Sequence, residues 1–477
     1  MPPARVWKIP TNVSACSPTS RTSTIRPSIR VPSGGEMRDL MMLGAMLLLV
    51  PLSLRSSFSA YLLWGWAGLI AVQTYLYGFM REVPYVQIFA LITLTLLLLS
   101  KDKEKSRYQL DPTTILMVLF SLHCIFAATL AYPWLARNWE LCSNVLKTIL
   151  FCLIMPVVIT RRYRFHALLV VIAIGISFHG LLDGLKFLAS GGAHNAVGVQ
   201  KLGDNNHMAM ILIMVMPLLL YLFQYAKYRI AKLGFAGAFL GTCLAIVATG
   251  SRGALITLIA VGAWLILLSQ NRVRYFSIAA VVATLILVSA PDTWTERMDT
   301  IKSADQDSSF MGRVIAWKRA SAIALQHPVL GGGFHAGQDP QLFLQFNGQN
   351  GLLGFIETAI GTYPAATHSI YFEVMGDLGF LGLILFMLLM ITPFLIRSQI
   401  KSLARQIGPS ANWARDCADM IAASMVAFLV GGAALSAAYF ELPYITVMIM
   451  QVLLLVLRQE AATSPEKRPI PTRVITA

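Results

Sequence analysis

Between residues 39 and 458 the chain alternates long apolar runs with short polar breaks. The apolar windows fall at 39–54, 57–79, 84–100, 113–132, 143–160, 165–189, 207–225, 232–250, 253–270, 274–290, 369–396, 418–439 and 442–458. Most have the roughly 17–25 residues that a helix needs to cross a hydrocarbon core. The first is short enough to be a half-span. This pattern predicts an all-α, polytopic membrane bundle of about 12–13 spans, with one long loop between late spans.

Charge sets the orientation. The basic clusters "KDKEKSR" (101–107), "RRYR" (161–164), "KYRIAK" (227–232), "NRVR" (271–274) and "RSQIKSLAR" (397–405) follow every second window. Lys and Arg mark cytoplasmic connections, so these clusters go inside, together with the tail 461–477. The segment 291–367 then lies outside, between an amino-terminal bundle (37–290) and the last spans (368–460). Residues 1–36 fit this scheme poorly, because thirteen full spans put a basic tail outside. Either the first run does not cross, or translation begins at Met37. The second reading is preferred here, and the Ser/Thr/Pro/Arg-rich stretch reads as disordered in either case.

Composition agrees with a membrane protein. The chain is 56% hydrophobic and 13% charged, against about 25% charged in soluble domains. A net charge of +15 then reflects residues flanking spans rather than nucleic-acid binding. The six cysteines form no CxxC pair, and they read as packing residues rather than as disulfide or zinc ligands.

Candidate chemistry gathers on the outer side. "TGSRGALI" (249–256) sets Arg252 at the junction of two spans, and "GDNNH" (203–207) opens another. Asp204 or Asn205 suits a helix cap or contacts with sugar hydroxyls. "DSSFMGRVIAWKRASAIALQHP" (307–328) reads as an amphipathic helix that places Arg313 and Trp317 on one face. Ser308 or Ser309 would cap its start, and His327–Pro328 would end it. A glycine-rich turn follows, "VLGGGFHAG" (329–337), lacking the spacing and context of a dinucleotide site. Its glycines predict backbone passing close to a span or a ligand. His368, Tyr371 and Glu373 open the next helix, and Glu441 precedes Pro443 at an outer turn. Asp183 and Lys186 read as a local pair, while His123, His166 and His179 read as packing or hydrogen-bonding residues. "DQD" (305–307) reads as solvated loop.

Several of these pieces together resemble the O-antigen ligase and lipid-linked-repeat polymerase superfamily. They are "GDNNHMAMILIMVMPLLL" (203–220), "TGSRGALI", "GRVIAWKRA" (312–320), "HPVLGGGF" (327–334) and "HSIYFEVMGDLGFLGL" (368–383). "MRDLMML" and "YFELPY" (439–444) resemble the branch of O-glycosylation ligases associated with exosortase A systems. The resemblance implies a bacterial inner-membrane glycosyltransferase that uses neither metal nor cofactor. It would move a glycan from undecaprenyl diphosphate to a protein or lipid acceptor at the periplasmic face. By motif, diphosphate binding falls on Arg252 and Arg313, and catalysis on His368.

The chemistry asks for such residues. A departing diphosphate needs fixed cations where no metal serves, and arginine grips phosphate oxygens in pairs. An attacking hydroxyl needs a base that titrates near neutrality, which histidine supplies. Glu373 is a second candidate base or an orienting group, and Asp204, Asn205 and Glu441 are candidate glycan contacts. Attack opposite the diphosphate would invert the anomeric centre. Polymerisation of lipid-linked repeats is the alternative within the superfamily. A flippase is a more distant one, disfavoured because the polar residues cluster on one face.

Overall fold

In a computed structural model, residues 34–99, 110–131, 136–198, 204–268, 271–289 and 308–463 are described. All thirteen apolar windows fall on helices, and no strand occurs among the described residues. The helices are α1 (Gly34–Ser53), α2 (Ser57–Ile70), α3 (Tyr85–Leu99), α4 (Pro112–Leu130), α5 (Ala136–Val158) and α6 (Arg162–Ala189). They continue with α7 (Asn205–Tyr225), α8 (Arg229–Ala248), α9 (Arg252–Leu268) and α10 (Arg272–Ser289). After α11 (Ser308–Gln326) and the short α12 (Pro340–Phe346) come α13 (Ile370–Ile407), α14 (Asn412–Gly431) and α15 (Glu441–Thr463). Among the described residues nine helices are long and apolar enough to cross a membrane, and α2, α3 and α9 are shorter apolar helices. The chain is therefore a multi-pass membrane protein.

Two windows end earlier than hydropathy predicts. The 57–79 window stops being α-helix at Ile70, where Ala71 takes a left-handed backbone (φ 50°). The 418–439 window stops at Gly431, and an irregular turn covers residues 435–440. Hydropathy sums side chains and cannot register where backbone hydrogen bonding changes hands. The tail 1–33, the "KDKEKSR" cluster and "DQD" lie outside the described residues, as do the side chains of Ser308 and Ser309.

The centre of the bundle is α7, α14 and α15, whose spans are the most deeply buried. Around them α6 and α8 cross closely, with Gly184 facing the backbone of Gly241, as small residues allow between membrane helices. At the end that carries the basic connections, Asp419 joins Arg397 (2.6 Å) and Lys401 (3.3 Å), while Tyr225 donates to Asp416 (2.7 Å).

Helix α13 is broken. Gly379 leaves the helical region (φ 71°, ψ −173°), which strands backbone groups that lipid could not satisfy. The glycine-rich turn satisfies them. Gly332 N–H donates to Gly376 O (2.8 Å), Gly333 N–H to Asp377 O (2.9 Å), and Phe380 N–H to Pro328 O (2.8 Å). His123 Nε2 reaches Leu378 O at 2.9 Å. Gly331 (φ 64°) lies so close that a Cβ there would stand 2.5 Å from the Asp377 carbonyl carbon. The predicted close passage of glycine backbone along a span is thus what the fold contains.

Candidate active site at one end of the bundle

Three breaks between helices meet at one end of the molecule. At the start of α7, the Asp204 side chain caps the helix, with Oδ1 accepting Asn206 N–H and His207 N–H, both at 2.9 Å. The same oxygen lies 2.9 Å from His207 Nδ1. This hydrogen bond, with lesser help from the backbone donors, holds the Asp204 carboxyl well below the usual carboxylate range. Asn205 Nδ2 donates to Thr249 O (2.8 Å), which ties α7 to the end of α8.

At the α8–α9 junction Gly250 turns the chain with φ 59°. Ser251 Oγ then accepts Ala254 N–H (3.2 Å), capping α9, and donates to Asn206 Oδ1 (2.7 Å). Arg252 is the first residue of α9 and is partly exposed. A cation at a helix N-terminus opposes the helix dipole, at a cost of about 0.3–1 kcal/mol. The guanidinium favours an anion at that point.

The third element is α11. It does not show the expected amphipathic division: residues 318–324 are buried on every side, Lys318 and Arg319 among them, as the helix packs on α13 and on the loop that follows. Lys318 Nζ is held by Asn350 Oδ1 (3.0 Å), Thr358 Oγ1 (3.1 Å) and the carbonyl of Ile356. Arg319 Nη2 donates to Gly337 O (2.9 Å) and Ala365 O (3.0 Å). Both basic residues therefore build the loop. Trp317 Nε1 donates to Thr367 O (2.8 Å), and its ring stacks on Phe372. Arg313 shares the Trp317 face one turn earlier, which brings its charge to His368.

His368 stands outside α13 rather than opening the helix with Tyr371 and Glu373 as expected. Ser369 is the cap residue, and His368 is held left-handed (φ 48°). Its N–H donates to Ser436 Oγ (2.8 Å), and the Ser436 carbonyl lies 2.9 Å from His207 Nε2. Burial first, then the charge of Arg313, push the His368 imidazole pKa down; Asp204 opposes this and His207 adds to it. The geometry thus brings together His368, Arg313, Asp204 and His207, with Arg252 opening the helix beside Asn206.

Glu373 is buried in α13. Its Oε2 accepts Ala438 N–H (2.9 Å) from the turn that carries Ser436. One turn on, Asp377 accepts His335 N–H (2.9 Å), Ala336 N–H (2.8 Å) and Tyr439 OH (3.1 Å). Glu441 is the first residue of α15 rather than part of a tight turn. Glu373 and Glu441 line a cavity of about 540 Å³ together with His207, His335 and Ser436.

His207, Ser436, His335 and Asp377 escaped the reading of the sequence. An Asp inside a span is a functional candidate by default, and that signal marks Asp377. The backbone strain is a second signal. Among the described residues the non-glycine ones with positive φ are Ala71, His335 and His368, and such strain gathers at functional sites. Among the described residues no group of three or more His, Cys, Asp or Glu is placed to hold a metal ion. Asp183 and Lys186 do pair, at 2.9 Å. The described cysteines are all free and buried.

Arginines, a strained histidine and a cavity thus gather at one end of a helical membrane protein, an arrangement that suits chemistry at a membrane surface. Comparison with known families agrees: residues 236–387 match the O-antigen ligase family, so the chain carries an O-antigen ligase domain and is an enzyme. That family's activity is the transfer of lipid-linked glycan. Residues 37–227 match a family of unknown function (DUF5935). No curated protein matches the chain.

Proposed function

We propose that the protein transfers a glycan from undecaprenyl diphosphate to an acceptor hydroxyl at the periplasmic face of the bacterial inner membrane. The observation that carries this reading is the meeting of Arg313 with His368 beside the Asp204–His207 pair, at the end where Arg252 opens α9. Neutral His368 takes the acceptor proton as the oxygen forms its bond to the anomeric carbon. The bond from that carbon to the diphosphate oxygen breaks, its electron pair leaves with the diphosphate, and Arg252 and Arg313 neutralise the added charge. The anomeric centre inverts, and neither a metal nor a cofactor takes part.

In this scheme Asp204 and Asn205 position the α7 and α8 ends, and Glu373 holds the turn that carries Ser436 or receives the proton in a second step. Glu441 contacts the glycan. The resemblance of "YFELPY" and "DNNH" to the ligases favours ligation over polymerisation, with a protein or a lipid as acceptor.

The test is transfer by purified enzyme in detergent. Arg252→Ala should abolish transfer while membrane insertion persists. Arg252→Lys should recover little, because an ammonium is a point charge where a guanidinium forks. EDTA should change nothing. Full activity of Arg252→Ala removes the residue from the mechanism, and loss of activity in EDTA reinstates a metal. In cells, deletion should leave long glycan on the carrier lipid. Accumulation of single repeats would instead identify a polymerase.

A further inference from the structure

The cavity of about 540 Å³ is of a size to enclose a small ligand, about 300–1,000 Å³. One of its walls touches the reaction centre through His207 and Ser436. The opposite wall comes from α2, α3 and α5, within the segment that matches a family of unknown function. Trp64 forms part of that wall, held edge-on by Tyr61 and Phe151 at ring separations of 6.1 and 5.1 Å. Next to it Gly68 leaves space, since a Cβ there would meet nothing within 4 Å. Above these the lining turns polar, with Gln87 on α3 and Asn144 and Lys147 on α5.

The chemistry of the lining selects its occupant. One lysine and no arginine line the cavity, against the two carboxylates Glu373 and Glu441. A phosphorylated ligand calls for clustered cations, so it does not belong here. Amides and carboxylates pair with vicinal hydroxyls as donor and acceptor sets. We infer that this cavity binds neutral sugar rings of the glycan or of the acceptor next to the reacting hydroxyl. The amino-terminal segment thereby becomes the part of the enzyme that recognises carbohydrate. This inference rests on the glycan-transfer reading above, and deepens it.

The experiment uses the full-length protein and three probes: bare undecaprenyl diphosphate, neutral oligosaccharide released by acid from the cell's own carrier lipid, and a serine-containing peptide. Gly68→Leu fills the cavity from a position with room for it. It should weaken oligosaccharide binding about tenfold or more while leaving undecaprenyl diphosphate binding unchanged. Arg252→Ala should do the reverse, so failure of one assignment is separable from failure of the other. In turnover, a higher KM for the donor in Gly68→Leu locates the donor's sugar in the cavity. A higher KM for the acceptor alone locates the acceptor's sugar there. Unchanged oligosaccharide binding in Gly68→Leu overturns the inference, and so does peptide binding tighter than oligosaccharide binding.

Discussion

At the scale of single residues, the site depends on one serine serving two histidines. Ser436 accepts from the His368 backbone with its hydroxyl and faces His207 with its carbonyl. Ser436→Ala removes the first contact and spares the second. A lost hydrogen bond of this kind costs about 0.5–1.5 kcal/mol, so kcat should fall roughly two- to tenfold with membrane insertion intact. Unaltered kcat would show that His368 holds its left-handed backbone unaided. The pH profile tests the histidine itself. Burial and then Arg313 lower its pKa from the ordinary value, and the neutral form is the base. The acid limb of kcat should therefore lie below about pH 6.5, the ordinary histidine value. Arg313→Ala removes one lowering influence, so the limb should move to higher pH. A shift to lower pH would contradict the assignment. Stability follows the same sign: the unfolded chain binds that proton more readily, so this contribution falls as pH drops through the ordinary value.

At the scale of elements, the broken helix α13 and the glycine turn are one unit. A Cβ on Gly379 would lie 2.6 Å from Pro328 O, and its φ of 71° suits glycine alone. Gly379→Ala should therefore destabilise the protein by about 1–3 kcal/mol, read as a lower thermal midpoint in detergent. Gly262 on α9, where a Cβ meets nothing, is the control, and Gly262→Ala should be neutral or slightly stabilising. Equal midpoints for the two variants would mean that the break is not held by the turn. This unit also shows what the sequence could disclose. Positions of helices were legible because lipid tolerates only backbone that bonds within itself, and that rule writes itself into runs of apolar residues. Arg252, Arg313 and Asp204 were legible as polar residues at the ends of such runs. Nothing in "GDLGFLGL" (376–383) marks which glycine leaves the helix, since that follows from where Pro328 and Gly332 arrive in space. His335 and Ser436 were hidden for the same reason, being ordinary polar residues until folding sets them around one cavity.

At the scale of the whole molecule, the charge pattern and the contacts divide the bundle into two ends of opposite character. Arg397, Lys401 and Asp419 gather at one end, and Arg252, Arg313 and His368 at the other. Orientation rests on the rule that Lys and Arg stay inside, and the mechanism requires the second end to face the periplasm, where no nucleotide-driven step is at hand. Single cysteines decide it, because the described native ones are buried. With Cys16 replaced by Ser, Glu357→Cys and Gln406→Cys each place an exposed thiol at opposite ends. A membrane-impermeant maleimide should label Glu357→Cys in intact spheroplasts and should reach Gln406→Cys only after lysis. The reverse pattern would turn the diphosphate site toward the cytoplasm. Lipid-linked glycan would then have to be consumed before it crossed the membrane, and the assignment of a periplasmic ligase would fall while the arrangement of Arg313 and His368 stood.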